Sequence, residues 1–384
     1  MGTLTWNQHV VKKNNKALVL SLIIEKETIS RADIAGVTGL NKTTVSSLVN
    51  ELLEEDLIYE SGPGVSSGGR RPVILHFNKK AGYAIGIDIG VNYILAVLTD
   101  LKGQIIVEKS QNLTRTSYSA IMNNVQTMIQ SLMENMPESR YGIVGIGVGV
   151  PGIVNKEGSV LLAPNLGWTN IQLKEDLEKM FNVPIIIENE ANAGAVGEQQ
   201  FGAGQDYENI LYVSAGIGIG VGIILNNELY QGKSGFSGEM GHMIIELNGK
   251  HCNCGSRGCW EAYASENALL EMAGENIDSL ESLIELAQNG EKSAIDLFEK
   301  IGQYLGFGIN NIINTFNPDQ VIIGNRLAMV REWIEQPILT TIENHTLAFH
   351  QKETHLEFSK LGKYSTALGV SAFVVDNFIK TEEA

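Results

Sequence analysis

The sequence predicts an α/β protein in which a winged helix-turn-helix head precedes a duplicated α/β body with a ligand cleft. Three observations lead there. Residues 30–54 carry two short amphipathic helical patterns, each with its own cap, separated by Gly39. Residues 83–111 and 211–225 are two Gly-rich strand-turn-strand units. All three cysteines of the 384-residue chain fall between 252 and 259, just after His242.

The head comes first. Residues 14–26 read as a helix. Ser30 then caps a short helix with Asp33 three residues on, and Ile29 and Ile34 form a hydrophobic staple across the cap. Gly39 turns the chain, Asn41 caps the next helix, and Leu40 and Val45 repeat the staple. Val45, Leu48, Val49, Leu52 and Leu53 recur at i, i+3, i+4, i+7 and i+8, so this helix has one apolar face. Its other face begins with Lys42, Thr43, Thr44, Ser46, Ser47 and Asn50. Small hydroxyl and amide groups with one Lys, on the first turns of a second helix, suit a recognition helix that reaches base edges and phosphates in a major groove.

Residues 59–77 read as two strands around a Gly-rich loop carrying Arg70 and Arg71, a wing suited to phosphates or a minor groove. A plain linker with solvated arginines is the alternative; the capped helix pair at the expected spacing favours the wing. Charge agrees. The chain carries a net −16, yet residues 1–80 hold ten Lys and Arg against eight Asp and Glu. An acidic body therefore carries a mildly basic head, and nucleic acid can be met at one end only.

With 43% hydrophobic residues, the chain has enough apolar surface for two or three domains. No stretch approaches the roughly 20 apolar residues of a membrane span, and the polar N-terminus lacks a signal-peptide pattern, so a cytoplasmic location is expected. In the body, residues 83–90 open a run of three strands, followed by a helix near 119–136 and a buried strand over 142–150. Residues 211–225 repeat the theme, which implies two related halves with a cleft between them.

His242, Cys252, Cys254 and Cys259 offer one imidazole and three thiolates, a closed tetrahedral set that suits structural Zn2+ and leaves no open catalytic position. Three unrelated buried cysteines are the alternative; Gly255 and Gly258 make a tightly turned loop that few constraints other than ligation would require. The spacing gives no reason to expect disulfides. Glu239 and Glu261 set carboxylates against the same loop, where they suit hydroxyl groups.

Glu239-x-Gly-His242, the Cys252/Cys254/Cys259 loop and Glu188-Asn-Glu-Ala-Asn192 together resemble the ROK family of bacterial sugar kinases and repressors. The likeness spans nearly the whole chain and, with the winged head attached, extends to the xylose-responsive repressors of Gram-positive bacteria within that family. It implies an actin-like, ribonuclease-H-like duplicated body. The head would be residues 1–78, the first lobe 79–190 with the terminal helix 366–384, and the second lobe 191–365. It implies that Gly152, Asn165, Asn189, Glu190, Glu239, His242 and Glu261 line a sugar pocket, with Trp168 as an apolar wall. Carboxylates and amides that pair with polyol hydroxyls are the right chemistry for that.

The family contains both kinases and repressors, and the phosphate side of this chain departs from the kinase pattern. Where the kinases have Asp-x-Gly-Gly-Thr, Asp88-Ile-Gly90 runs into Val91 and Asn92, and a β-branched residue keeps the backbone away from phosphate. The second loop, Ser214 to Gly220, has Ala215 for a threonine and Ile219 for a glycine; the adenosine motif ends Gly324-Asn325 instead of in paired glycines. Glu190 stands where the kinases have the catalytic Asp, one methylene longer, in a role that demands hydrogen-bond reach of roughly 2.6 to 3.2 Å. The expectation is a protein that is not an enzyme: a sugar-responsive repressor on a palindromic operator, a homodimer or tetramer, released by xylose or, alternatively, glucose. A sugar kinase carrying a DNA-binding head, and an activator on the same scaffold, are the competing readings.

Overall fold

The structure is a computed structural model that describes residues 8–63, 73–113, 117–347, 349–350 and 353–382. Arg70 and Arg71, assigned to the wing, lie outside the described residues.

In the head, α1 (Gln8–Lys26) is followed by β1 (Ile29–Ser30), α2 (Arg31–Thr38) and α3 (Lys42–Glu54), then β2 (Ile58–Pro63) and β3 (Val73–Phe77). Ser30 accepts from the Asp33 amide while Asp33 accepts from the Ser30 amide at 3.1 Å, a complete capping box. Gly39, at φ 70, closes α2 in the left-handed region that glycine adopts at little cost. Asn41 Oδ1 accepts from the Thr44 amide at 2.8 Å and starts α3, whose Val45, Leu48, Val49 and Leu52 are buried. The wing strands pair antiparallel as read from the sequence. The structure adds a third, β1, on the far edge of β3; two residues are too few to display an alternating pattern.

The body begins with β4 (Tyr83–Ile89), β5 (Tyr93–Asp100), β6 (Ile105–Asn112), α4 (Tyr118–Glu134) and β7 (Ile143–Val150). A small sheet of β8 (Ile153–Val154), β9 (Val160–Ala163) and β10 (Trp168–Ile171) follows, then α5 (Leu173–Met180), β11 (Ile185–Asn189) and α6 (Glu190–Phe201). The second half holds β12 (Ile210–Ala215), β13 (Ile219–Leu225), β14 (Glu228–Leu229), α7 (Glu261–Ala264), α8 (Glu266–Ala273), α9 (Leu280–Gln288), α10 (Lys292–Phe316), β15 (Gln320–Gly324), α11 (Arg331–His345), β16 (His355–Phe358) and α12 (Ser365–Glu382).

Two five-stranded sheets carry the duplication, ordered β11-β7-β4-β5-β6 and β14-β13-β12-β15-β16. Counted within each half, both run 5-4-1-2-3 or its reverse. In both, strands 1, 2 and 3 form an antiparallel meander and strands 4 and 5 add parallel beside strand 1. That repetition of topology, not only of glycines, defines the ribonuclease-H-like body. Parallel strands buried on both faces read as the continuous apolar runs seen in β4, β7 and β15.

Between the halves, α6 and α12 pack backbone to backbone: a Cβ on Gly369 would fall on the Ala193 carbonyl, and one on Gly197 on the Ser365 carbonyl. The buried Glu198 carboxylate lies across this contact, accepting from the Ala203 amide at 2.8 Å, Ser365 Oγ at 2.8 Å and the Leu361 amide at 3.2 Å. The head shares its core with the first sheet: Leu57, Ile58 and Phe77 belong to one apolar cluster with Leu101, Val144 and Phe378. Tyr141 Oη donates to the Glu55 carbonyl at 3.0 Å across the same seam. One expectation needs correction. Trp168 is no wall of the cleft: it is 3% exposed in the core of the first half, edge-on to Tyr118 at 5.2 Å.

Candidate functional site

All seven residues assigned to a sugar pocket line one cavity of about 360 Å³, within the size range of small-molecule sites. Gly152 and Asn165 come from the small-sheet region, Asn189 and Glu190 from the start of α6, and Glu239, His242 and Glu261 from the second half. Each is placed by a local rule. Gly152, at φ 151, lies so close to β9 that a Cβ would overlap the Leu162 carbonyl. Asn189 caps α6 through Oδ1, which accepts from Ala191 N at 2.8 Å and Asn192 N at 3.2 Å, and its Nδ2 donates to the Gly152 carbonyl at 2.8 Å. It therefore shapes the rim with most of its bonding capacity already used. Glu261 Oε2 accepts from the Ile219 amide at 2.9 Å, a reach that Gly218 permits by lacking a Cβ.

At the inner end of the cavity, burial, reinforced by the nearby Asp88 carboxylate, pushes Glu190 up to about 8. Asp88 is itself raised by burial to about 7, although the Tyr93 hydroxyl donates to its Oδ2. Tyr93 was not anticipated from sequence. It lies over Gly90 so closely that a Cβ there would overlap its ring. The signal was present as an aromatic three residues beyond Gly90, at the end of the departure from the kinase loop. Among the described residues, Arg326 is the one Lys or Arg lining the cavity, and its charge is met by Glu266 at 2.6 Å and Glu281 at 3.1 Å.

These raised acids have a measurable consequence. A buried acid that keeps its proton in the fold but releases it when unfolded makes folding proton-binding, so stability falls as pH rises from about 4 through about 8 and is level beyond. Glu190→Gln removes one such group. The urea midpoint of the variant relative to the unaltered protein should rise steadily from about pH 5 to about pH 8; a constant difference over that range would show that Glu190 is ionised throughout.

The four candidate metal ligands also converge, each offering an atom within 4.8 Å of the others. The fit to a tetrahedral ion is close. Arms of about 2.3 Å to sulfur give S–S edges of about 3.8 Å, and one sulfur with one imidazole arm of about 2.0 to 2.1 Å gives about 3.6 Å. Cys254 Sγ and Cys259 Sγ are 3.7 Å apart, and His242 Nδ1 lies 3.6 Å from Cys252 Sγ. Burial pushes the Cys252 thiol up to about 12 and Cys259 upward too, so both would need a cation beside them to become thiolates at neutral pH. With Nδ1 facing the sulfurs, His242 Nε2 faces Glu239 Oε2 at 3.9 Å on the cavity side.

On the head, Thr43, Ser47 and Asn50 form an exposed stripe at i, i+4 and i+7 of α3, with Lys42 exposed at its start and Thr44 and Ser46 half-buried beside it. Arg31, at the first position of α2, joins this surface and was missed because a lone Arg beside a cap carries no motif.

A winged helix-turn-helix head on a duplicated α/β body with a Cys-rich cleft loop defines a class, and the chain belongs to it: it is a member of the ROK family, whose profile matches residues 84–377, while a winged helix-turn-helix DNA-binding profile matches residues 15–59. The xylose repressor of Bacillus spizizenii is 46% identical over 97% of this chain and 98% of its own length. Among solved structures, a ROK family transcriptional regulator described as a homologue of the Escherichia coli MLC protein superposes with a TM-score of 0.82 at 26% identity, covering 97% of this chain and 99% of its own. A ROK family glucokinase from Streptomyces griseus, solved with glucose and AMPPNP, has a TM-score of 0.70 at 27% identity and covers 76% of this chain and 99% of its own.

Proposed function

We propose that this chain is a sugar-responsive transcriptional repressor that holds operator DNA through its winged head and lets go when a monosaccharide, xylose before glucose, fills the cleft. The observation that carries this reading is the unequal state of the two sides of the cleft. One side gathers Gly152, Asn165, Asn189, Glu190, Glu239, His242 and Glu261, groups that pair with hydroxyls. On the other, Tyr93 lies over Gly90 and donates to Asp88, Arg326 is already neutralised, and burial with the Asp88 carboxylate biases Glu190 toward its protonated form where a kinase needs a base. The full-length likeness to repressors supports the same conclusion, as do the DNA-binding head and its exposed Lys42, Thr43, Ser47 and Asn50. Arg70 and Arg71 complete the proposed DNA surface from the wing.

Zn2+ fits the His242, Cys252, Cys254 and Cys259 set and would hold in place the loop that carries Glu239, His242 and Glu261, so that the pocket is preformed. We place the lobe boundary near residue 190, with α12 belonging to the first lobe. A homodimer presents two heads to the two halves of a palindrome, and among the described residues no helix is long and apolar enough to cross a membrane.

The deciding measurement is operator affinity at fixed salt with and without xylose, glucose and fructose. Xylose should weaken operator binding by about 5- to 150-fold, and operator should weaken xylose binding by the same factor. DNA affinity indifferent to all three sugars would remove the inducer reading. ATP consumption with xylose or glucose at about 1 to 100 per second would establish the kinase reading instead.

A further inference from the structure

The recognition helix carries a feature that assigns a base preference. Arg31 opens α2 and projects between two other elements of the head: its Nη1 meets Glu60 on β2, and its Nη2 donates to Asn50 Oδ1 on α3 at 3.2 Å. A guanidinium has donors and no acceptor, so the amide atom turned toward it is the oxygen. That settles which way the carboxamide points. Its Nδ2 has no partner among the described residues, and Asn50 is exposed on the same stripe as Thr43 and Ser47.

We infer that Arg31 is a positioning residue that makes Asn50 a donor, so that the base it faces is read as an acceptor edge, guanine or thymine, and not as adenine. The inference rests on the DNA-binding reading of the head. Asparagine recognises adenine by giving a proton to N7 while its oxygen accepts from the N6 amino group. Here one of the oxygen's two lone pairs faces a guanidinium, so an adenine amino group would have to share that acceptor with the donor of a neighbouring cation. That weakens the second half of the adenine pair, whereas guanine and thymine need nothing from the oxygen. Guanine presents N7 and O6, and thymine presents O4, all acceptors. The ion pair to Glu60 keeps Arg31 in place, with 29% of its side chain exposed, and offsets the charge that a phosphate contact would use.

The test is selection from a duplex DNA library with a random central segment, using the full-length protein, Arg31→Met and Asn50→Ala, each first shown to melt like the unaltered protein. The unaltered protein should enrich guanine or thymine at one position of each half-site, by about fivefold or more over adenine, the lower end of what one good base contact supplies. Asn50→Ala should lose that preference, and Arg31→Met should shift it toward adenine, because the freed carboxamide can then use both its groups. Identical consensus sequences for the unaltered protein and Arg31→Met would overturn the inference. So would uniform weakening of Arg31→Met on every sequence with a shallower salt dependence, which marks a phosphate contact. An unaltered protein that enriched no sequence would overturn the DNA-binding reading itself, and this inference with it.

Discussion

Replacing Cys259 by Ser should remove bound zinc and the response to sugar together. Cys259 is fully buried and its backbone bridges to Ile244, so the ligand sits where the loop returns to the cleft. Two residues on, Glu261 reaches the Ile219 amide, and ten residues before Cys252 His242 turns its second nitrogen toward Glu239. A loop pinned by four ligands would thus set three cleft side chains at once. Serine offers a hydroxyl that does not ionise near neutral pH, leaving three good ligands and an open position. The stabilisation lost is about 4 kcal/mol where free zinc is a thousand times its Kd. Metal content by atomic emission should drop from one zinc per chain to none, and calorimetric titration with xylose should show no heat. Full zinc stoichiometry in Cys259→Ser would mean that the ligands are assigned wrongly.

Gly369→Ala should be among the most damaging single methyl groups in the body. Its Cβ would land on the Ala193 carbonyl and also press on the Gly197 amide, and neither atom can swing away as a side chain can. The helices α6 and α12 must then separate, which strains the bonds that Ser365 and the 359–361 turn give to the buried Glu198 carboxylate. Overpacking commonly costs about 1 to 3 kcal/mol, and a clash with backbone belongs at the upper end. For a 384-residue chain, whose unfolding entropy is about 0.8 kcal/mol/K, that is a fall of roughly 3 to 4 °C in melting temperature. Gly36→Ala is the internal comparison, since nothing lies within 4 Å of its Cβ in α2 and Ala is the better helix former by about 1 kcal/mol. Equal melting temperatures for Gly369→Ala and the unaltered protein would contradict the packing described between these helices.

Much of the head was legible because its signals are local. The Ser30–Asp33 box, Gly39 and the Asn41 cap each act within four residues, and the structure shows each in place. The metal loop was legible for the same reason, with three of its four ligands inside eight residues. The cleft was legible only through resemblance: Gly152 and Glu261 are more than a hundred residues apart, and no periodicity links them. Tyr93 and Arg31 escaped because what each does depends on a partner from another turn or another element, Asp88 for one and Asn50 for the other. Trp168 went the other way, an aromatic near Asn165 whose ring turned into the core once β10 paired with β9.

Caps, turns, helix faces and the ligand spacing were written in neighbouring residues, since backbone hydrogen bonding and side-chain period are short-range effects. Which way the Asn50 amide points, which acids keep their protons, and which ring lies over the phosphate loop are set by burial and by donors brought from distant parts of the chain. Those follow from how the two halves and the head close on one another, and from desolvation that no local pattern encodes.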